Sequence, residues 1–246
     1  MQMQRRHMVA AFTAVCLAAT LSACGGGSKD NASATTTHSS SSSASATATS
    51  SKAAAPTGKL QPRGLDTVGA GAANPTIADY IRDQHITETP VHEGDPGAPQ
   101  INIELPDGWE SAGADTPDYA YGALVYTGPE AQGANYTPNI IALLSKLDGP
   151  ADPDKLLQLA GGEMKNLPGF VAAGDETATV SGFPAYRIAG EYDLQGIKAA
   201  SGQETVVIQG PGGLYVLQMN ATSNEDQSKP LFDALEAIDK SINITT

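Results

Sequence analysis

Residues 204–220 read ETVVIQGPGGLYVLQMN, two apolar runs separated by a turn. The runs 204–209 and 214–220 are rich in β-branched and aromatic residues, and Gly210-Pro211-Gly212-Gly213 between them is typical of a hairpin. A second pair of strands, predicted at 176–181 and 185–193, is joined by a turn at Gly182-Phe183-Pro184. The C-terminal half of the chain therefore predicts an antiparallel sheet.

Further elements extend this sheet and cover it. Four more strands are predicted at 86–92, 100–105, 119–126 and 138–147. Three helices are predicted over about 74–84, 152–167 and 229–242. The first two begin with a cap residue followed by proline, at Asn74-Pro75 and Asp152-Pro153. The order helix, strands, helix, strands, helix predicts one α+β domain over 74–246, an antiparallel sheet flanked by helices.

The charge of the chain excludes several classes of partner. Its 246 residues carry a formal net charge of −13, and from residue 74 onward 8 Lys and Arg stand against 25 Asp and Glu, about −17. Nucleic acid and anionic lipid headgroups would be repelled by such a domain. The two cysteines are too few for a disulfide-rich scaffold or a multi-cysteine zinc site.

The N-terminus has the features of an exported lipoprotein. Residues 1–23 predict a signal peptide, with Arg5 and Arg6 before an apolar run over 8–21 that is too short for a permanent membrane anchor. Leu21-Ser22-Ala23-Cys24 resembles the bacterial lipobox, in which the thiol forms a thioether to diacylglycerol. Cys24 is therefore the predicted lipidation site, acylated by chains such as palmitate, on the extracytoplasmic face of the cell membrane. The alternative is an ordinary signal peptide that happens to carry a cysteine there.

Residues 24–73 predict a disordered tether behind the lipid. They consist mainly of Gly, Ser, Thr and Ala, and cannot bury enough apolar surface to offset the entropy of ordering. A flexible coil of this length spans roughly 35–40 Å. We therefore expect the folded domain to move within a shell around its membrane anchor.

The folded region lacks the residue patterns of common catalytic and metal sites. His85 and His92 would point to opposite faces of an unbroken strand, which argues against a shared metal ion. No Gly-x-Ser-x-Gly nucleophile motif occurs, and acids such as Asp79 and Asp152 lie in predicted helix starts, where acids are common. We expect no catalytic residue, no metal, no cofactor and no enzymatic activity. The alternative is an envelope hydrolase whose two acids come from distant loops.

Four phrases of the sequence are shared with a known family. They are Thr76-Ile77-Ala78-Asp79-Tyr80-Ile81, Pro106-Asp107-Gly108-Trp109, Gly182-Phe183-Pro184-Ala185 and Phe232-Asp233-Ala234-Leu235. In this order and spacing, over about 74–242, the chain resembles the mycobacterial LpqN/LpqT-type lipoproteins. The resemblance implies a Mog1/PsbP-like fold, an α/β/α sandwich around an antiparallel sheet. It also implies a surface-tethered, non-enzymatic partner in cell-envelope biology, linked to traffic of mycolic-acid glycolipids, and it supplies no catalytic residues.

Binding is therefore the expected function, and two forms of it compete. The candidate ligand- or partner-binding residues are Trp109, Tyr119, Tyr121, Tyr126 and Phe183. They line an apolar groove for a lipid or glycolipid, or form a docking patch for envelope proteins, or are plain core residues. An internal cavity of several hundred Å³ would favour the carrier, and an exposed apolar patch the docking module. We favour a monomeric protein-interaction module that serves envelope biogenesis or transport.

Overall fold

The computed structural model of the protein describes residues 74–246. Its helices and strands follow in the order α1 (Ile77–Asp83), β1 (Thr87–Val91), β2 (Gln100–Asn102), β3 (Trp109–Ser111), β4 (Gly122–Tyr126), β5 (Asn139–Asp148), α2 (Pro153–Leu159), α3 (Gly162–Lys165), β6 (Val171–Val180), β7 (Phe183–Leu194), β8 (Ile197–Gly210), β9 (Gly213–Asn224), α4 (Ser228–Ser241) and β10 (Asn243–Thr245). The predicted signal peptide 1–23, the lipidation site Cys24 and the predicted tether 24–73 lie outside the described residues.

One large antiparallel sheet organises the described residues. Its strand order is β3-β4-β5-β9-β8-β7-β6, and β1 pairs with the second half of β5 on the edge that β4 occupies along the first half. β2 and β10 form a separate two-stranded sheet. The β8–β9 hairpin closes with Gly210 opposite Gly213, so that Pro211 and Gly212 form the predicted turn.

The sheet lies between two layers of helices. Side chains of β8 point alternately to its two faces. Val206 and Ile208 belong to the core under α4, whereas Val207 belongs to the core under α1 and α2. Both faces are therefore closed around β8, which is buried from residue 199 to 208. The predicted α+β fold, an antiparallel sheet flanked by helices, is confirmed.

The predicted start of the first helix and the predicted extent of the second are wrong. The N-cap of α1 is Thr76, whose side chain accepts a hydrogen bond from the Asp79 amide while the Asp79 side chain accepts one from the Thr76 amide. Asn74 instead exchanges hydrogen bonds with Asn166, at 3.0 and 2.7 Å. The single helix predicted over 152–167 is divided into α2 and α3 near Gly162, where a Cβ atom would lie 2.0 Å from the Pro75 carbonyl oxygen.

The turn before β7 lies one residue earlier than predicted. Ser181 and Gly182 have φ values of 49° and 85°, and Phe183 pairs with Val180, so Phe183 already belongs to the strand. A two-residue turn with both φ values positive matches the right-handed twist of the strands that it joins. Two predicted strands are shorter in the structure, because β2 ends at residue 102 and β4 begins at residue 122.

The contact between Gly162 and Pro75 gives a stability prediction. Gly162→Ala should lower the free energy of unfolding by about 1–3 kcal/mol, because the added methyl group forces α3 away from the segment that leads into α1. Gly174→Ala is the matched control, since a Cβ atom at Gly174 meets nothing within 4 Å. Urea unfolding of both variants measures the difference. Equal stabilities would show that α3 can shift without cost.

Candidate binding groove

An open groove of about 500 Å³ lies beside α4, where the sheet extends beyond the helix. The helix α4 packs on the sheet through the buried side chains of Leu231, Ala234 and Ile238. The strands β6 and β7 extend beyond the area that α4 covers. We call this space the α4 groove. Its lining residues are Ala173, Gly174, Asp175, Glu176, Arg187, Ile188, Ala189, Gly202, Gln203, Glu204, Phe232, Leu235, Glu236 and Asp239.

A row of small residues forms the apolar part of the groove floor. Gly174, Ala189 and Gly202 lie directly opposite one another on β6, β7 and β8. A Cβ atom at Gly202 would lie 2.8 Å from Leu235 Cδ1, so the absence of a side chain there lets α4 approach the sheet closely. Phe232 forms part of the wall and remains 36% exposed. The result is a shallow trough with an aromatic edge.

The next row of the same strands is charged. Glu176, Arg187 and Glu204 are cross-strand neighbours on β6, β7 and β8, and Asp239 joins them from α4. The Arg187 guanidinium lies 2.9 Å from Glu204 Oε1, 3.0 Å from Asp239 Oδ2 and 3.6 Å from Glu176 Oε1. Three carboxyl groups thus share one cation, and Glu236 adds another acid at the rim. The groove carries an excess of negative charge when these acids are ionised.

Glu204 is the buried member of this cluster, with a side chain only 5% exposed. Burial, together with a hydrogen bond to Asp239 and repulsion from it, raises the pKa of Glu204 to about 7, although Arg187 acts in the opposite direction. The Oδ1 atom of Asp239 is buried without a hydrogen-bond partner in the structure. A proton on Glu204 can be donated to Asp239, which explains how two carboxyl groups are accommodated side by side.

The groove opens onto the edge of the sheet. Within residues 74–246, β6 pairs with β7 alone, so its outer backbone groups are available to another strand. The pairing of β6 with β7 is irregular between Ala172 and Gly174, and Ala173 lies at this bulge and also lines the groove. An extended segment could therefore contact the groove and the free strand edge together.

The five predicted aromatic residues do not share one surface. Trp109 is 5% exposed and packs on Tyr126 with ring centroids 5.5 Å apart, so both are core residues in this structure. The Tyr126 hydroxyl donates a hydrogen bond to the Glu130 carboxylate, which raises the pKa of Tyr126 to about 12. Tyr121 is half-buried, and its hydroxyl accepts a hydrogen bond from the Ile101 amide at 3.3 Å.

Tyr119 and Phe183 retain some access to solvent. Tyr119 is 60% exposed, and Phe183 is half-buried at the start of β7. None of the five aromatic residues lines the α4 groove. A binding role for them stays a prediction, and the groove is a separate candidate that the sequence analysis did not identify.

A second cavity, of about 150 Å³, lies on the opposite face, between α1 and the sheet. It contains the carboxyl group of Glu163, whose pKa is raised by burial and partly restored by hydrogen bonds to Gln218 and Gln203. Its size suits a few water molecules rather than an organic ligand. The α4 groove is therefore the better candidate for a binding site.

Neither histidine of residues 74–246 lines the α4 groove or the second cavity. His85 Nδ1 lies 3.1 Å from the Arg82 carbonyl oxygen, and His92 Nε2 lies 3.0 Å from that of Asp118. Among residues 74–246, no group of three or more His, Cys, Asp or Glu side chains is arranged to hold a metal ion. In the same part of the chain, no helix has the length and apolar character needed to cross a membrane.

Comparison with known proteins identifies the family. A family model described as "Probable lipoprotein LpqN" matches residues 73–245. The chain belongs to the LpqN lipoprotein family. The predicted membership of the LpqN/LpqT-type lipoproteins is thereby confirmed, and a lipoprotein family implies a membrane-anchored location in the cell envelope.

One curated relative and one crystal structure agree with this LpqN assignment. The lipoprotein LpqN of Mycobacterium tuberculosis is 48% identical over 181 residues, which cover 72% of this chain and 76% of that protein. A crystal structure of LpqN, described as involved in cell envelope biogenesis of Mycobacterium tuberculosis, matches with a TM-score of 0.65 and 47% identity, over 71% of this chain and 99% of that one. Mog1 matches with a TM-score of 0.42 and 11% identity, over 64% of this chain and 95% of that one, too distant to support a functional assignment.

One weak signal in this LpqN-family sequence pointed to the groove. Arg187 and Glu204 are charged residues inside strands that are otherwise largely apolar, and such residues are rarely buried without a partner. Pairing them requires the register of β7 against β8, which is set by a turn at Gln195 and Gly196 that the sequence analysis did not predict. The charged row was therefore visible only once the strands were aligned.

The buried carboxyl group gives this LpqN-family domain a characteristic pH dependence. The folded chain keeps a proton on Glu204 up to about pH 7, whereas the unfolded chain releases it near the ordinary value of 4.5. Because the folded state binds more protons in this window, Glu204 makes the free energy of unfolding fall as pH rises from about 4.5 to about 7.

Glu204→Gln should make that decline shallower, because an amide does not titrate. The measurement is chemical unfolding of both proteins at several pH values, and the readout is the slope of the difference between them. The pKa of Glu163 is also raised, but its effect on the free energy of unfolding is the same in both proteins and cancels in the difference. Parallel curves for the two proteins across the window would contradict the prediction.

Proposed function

We propose that this protein is a lipid-anchored, non-enzymatic accessory protein of envelope biogenesis that binds a segment of a partner protein in the α4 groove. Cys24 would hold it on the extracytoplasmic face of the membrane, and residues 24–73 would serve as its tether. The observation that carries the proposal is the charged row Glu176, Arg187 and Glu204 beside an apolar trough at a free strand edge.

The composition of the groove favours a protein segment over an acyl chain. An acyl chain in the groove would lie against Glu176, Glu236 and Asp239, and would separate these acids from water without replacing their hydrogen bonds. A peptide offers backbone groups to the edge of β6 and polar side chains to the acids. The volume of about 500 Å³ is that of an ordinary binding cleft and accommodates a few side chains.

The contacts of the groove's carboxyl groups with Arg187 also favour a binding role over a catalytic one. Glu176, Glu204 and Asp239 all lie within 3.6 Å of the Arg187 guanidinium, so the three acids are turned towards one another and towards this cation. A hydrolytic pair would need one acid free to approach the substrate and a second on its other side. The arrangement therefore supports recognition rather than proton transfer to a substrate.

The place of action is inferred from the family. The related LpqN structure is described as involved in cell envelope biogenesis, and we extend that role to this chain. The excess of 25 acids over 8 bases from residue 74 onward repels the domain from anionic lipid headgroups. A tethered domain held away from the bilayer is well placed to meet other envelope proteins, including those that handle mycolic-acid glycolipids.

Direct binding of a glycolipid is the second candidate. The wall of Phe232 and Leu235 could cover a short apolar chain, and the neighbouring carboxyl groups and Arg187 could bind sugar hydroxyls. Native mass spectrometry of the protein from a mycolate-making host distinguishes the two. A persistent mass that organic solvent extracts and fragmentation identifies as glycolipid would favour this candidate.

The lipid anchor is tested by Cys24→Ala. This variant should move from the membrane fraction to the soluble or unprocessed pool, because it lacks the thiol that bears diacylglycerol. Cell fractionation and the intact mass of the mature chain measure the change. A wild-type chain that is already soluble, with the mass of unacylated protein, would instead indicate an ordinary signal peptide.

Docking in the groove is tested by photo-crosslinking in cells of a mycolate-making host. p-Benzoylphenylalanine is placed at position 173, which lines the groove at the bulge. The same group at position 177 is the control, because Thr177 is exposed and lies three residues after Gly174 of the groove floor, so its side chain points to the other face of the sheet. We expect a discrete protein crosslink from position 173 and none from position 177. Ala189→Leu, which fills the trough, should abolish the product. Equal crosslinking at both positions, or a product unaffected by Ala189→Leu, would overturn the proposal.

A further inference from the structure

We propose that the α4 groove of the partner-free protein is occupied by a segment of the same chain, Lys59-Leu60-Gln61-Pro62-Arg63-Gly64-Leu65. The inference takes the α4 groove of the proposed function as its docking surface, but it requires no partner. It assigns to the end of the predicted tether a role as an internal ligand that a partner must displace.

Charge complementarity is the first argument. In the groove, Glu176, Glu204 and Asp239 share the single guanidinium of Arg187. At its rim, Glu236 pairs with Lys240, one turn farther along α4, and both side chains are largely exposed. The groove thus offers carboxyl groups in excess of its cations. A cationic segment satisfies them, whereas an acidic one is repelled.

The composition of residues 59–65 supplies the complement. Lys59 and Arg63 are the only two basic residues within five positions of each other between residues 24 and 73, and the segment contains no acid. Leu60 and Leu65 are the only leucines in that stretch. Charge and large aliphatic side chains therefore coincide at one place in an otherwise small and polar sequence.

The shapes also correspond. Phe232 leaves an apolar surface at the edge of the trough, on which a leucine side chain can pack. Pro62 restricts Gln61 and itself to extended conformations, which suit a shallow groove beside a strand edge.

The length of the chain allows the contact. The described domain starts at Asn74, whose backbone is hydrogen-bonded to the Asn166 side chain. Ala173 of the groove follows Asn166 by seven residues, so at most about 25 Å separates the two. The nine residues from Leu65 to Asn74 span up to about 30 Å, which is long enough to cover that distance. Because β6 is an edge strand, this path crosses no other strand of the sheet.

Amide hydrogen exchange of the full-length lipidated protein in detergent tests the inference. In the double variant Lys59→Glu/Arg63→Glu, amides of β6 should exchange about fivefold faster than in the wild type, the size expected for two partly exposed ion pairs. The matched control Lys29→Glu/Lys52→Glu changes the charge of the same region equally and should exchange like the wild type. A synthetic peptide of residues 56–68 added to the first variant should restore the slow exchange.

A reversal of charge in the groove provides the complementary measurement. Glu236→Lys should also accelerate exchange of β6, and the peptide should no longer slow it, while an unchanged midpoint of thermal unfolding shows that the domain is folded. Identical exchange in the wild type and in Lys59→Glu/Arg63→Glu would overturn the inference, as would equal acceleration by both double variants. A crosslink from position 173 to a partner alongside either result would leave the proposed function in place, so the two failures are distinguishable.

Discussion

Burial of β8 on both faces is the constraint on which the rest of the structure depends. Thr205, Val206 and Ile208 are fully buried, and alternate side chains of the strand point into two different cores. A strand with this pattern is unstable at the surface of a two-layer domain, because half of its apolar side chains would face water. The chain therefore needs a helical layer on each side, and it builds one from α1 to α3 and the other from α4.

The same constraint explains where the surface is left open. α4 is placed to cover the apolar side chains of β8 and β9, and Gly202 lets Leu235 approach the sheet there. Beyond this cover, β6 and β7 present small and charged residues that do not require burial in a core. The α4 groove is thus the border between the part of the sheet that must be covered and the part that need not be. Arg187 lies at this border. Its guanidinium compensates the negative charge of the partly buried carboxyl groups there.

Tethering and recognition fit together physically in such a molecule. The net negative charge of the domain would repel it from anionic membranes, and its groove brings carboxyl groups together at a free strand edge. Such a surface would favour a ligand with positive charge and an extended backbone. Residues 59–65 have the basic and aliphatic side chains of such a ligand, and we propose that they occupy the groove until a partner displaces them.

The fold class, the Gly210–Gly213 turn and the apolar face of α4 could be predicted from the sequence, because they depend on turn residues and on periodicity within a short stretch. Membership of the family was likewise predicted from four short sequence motifs. The pairing of Asn74 with Asn166, the break before Gly162 and the burial of Trp109 against Tyr126 became known only from the folded structure, since each depends on residues far away in the chain. The α4 groove belongs to this second group. Its charged row forms only when β6, β7 and β8 are aligned in register. Its depth depends on the position of α4 on the sheet, which no local sequence pattern specifies.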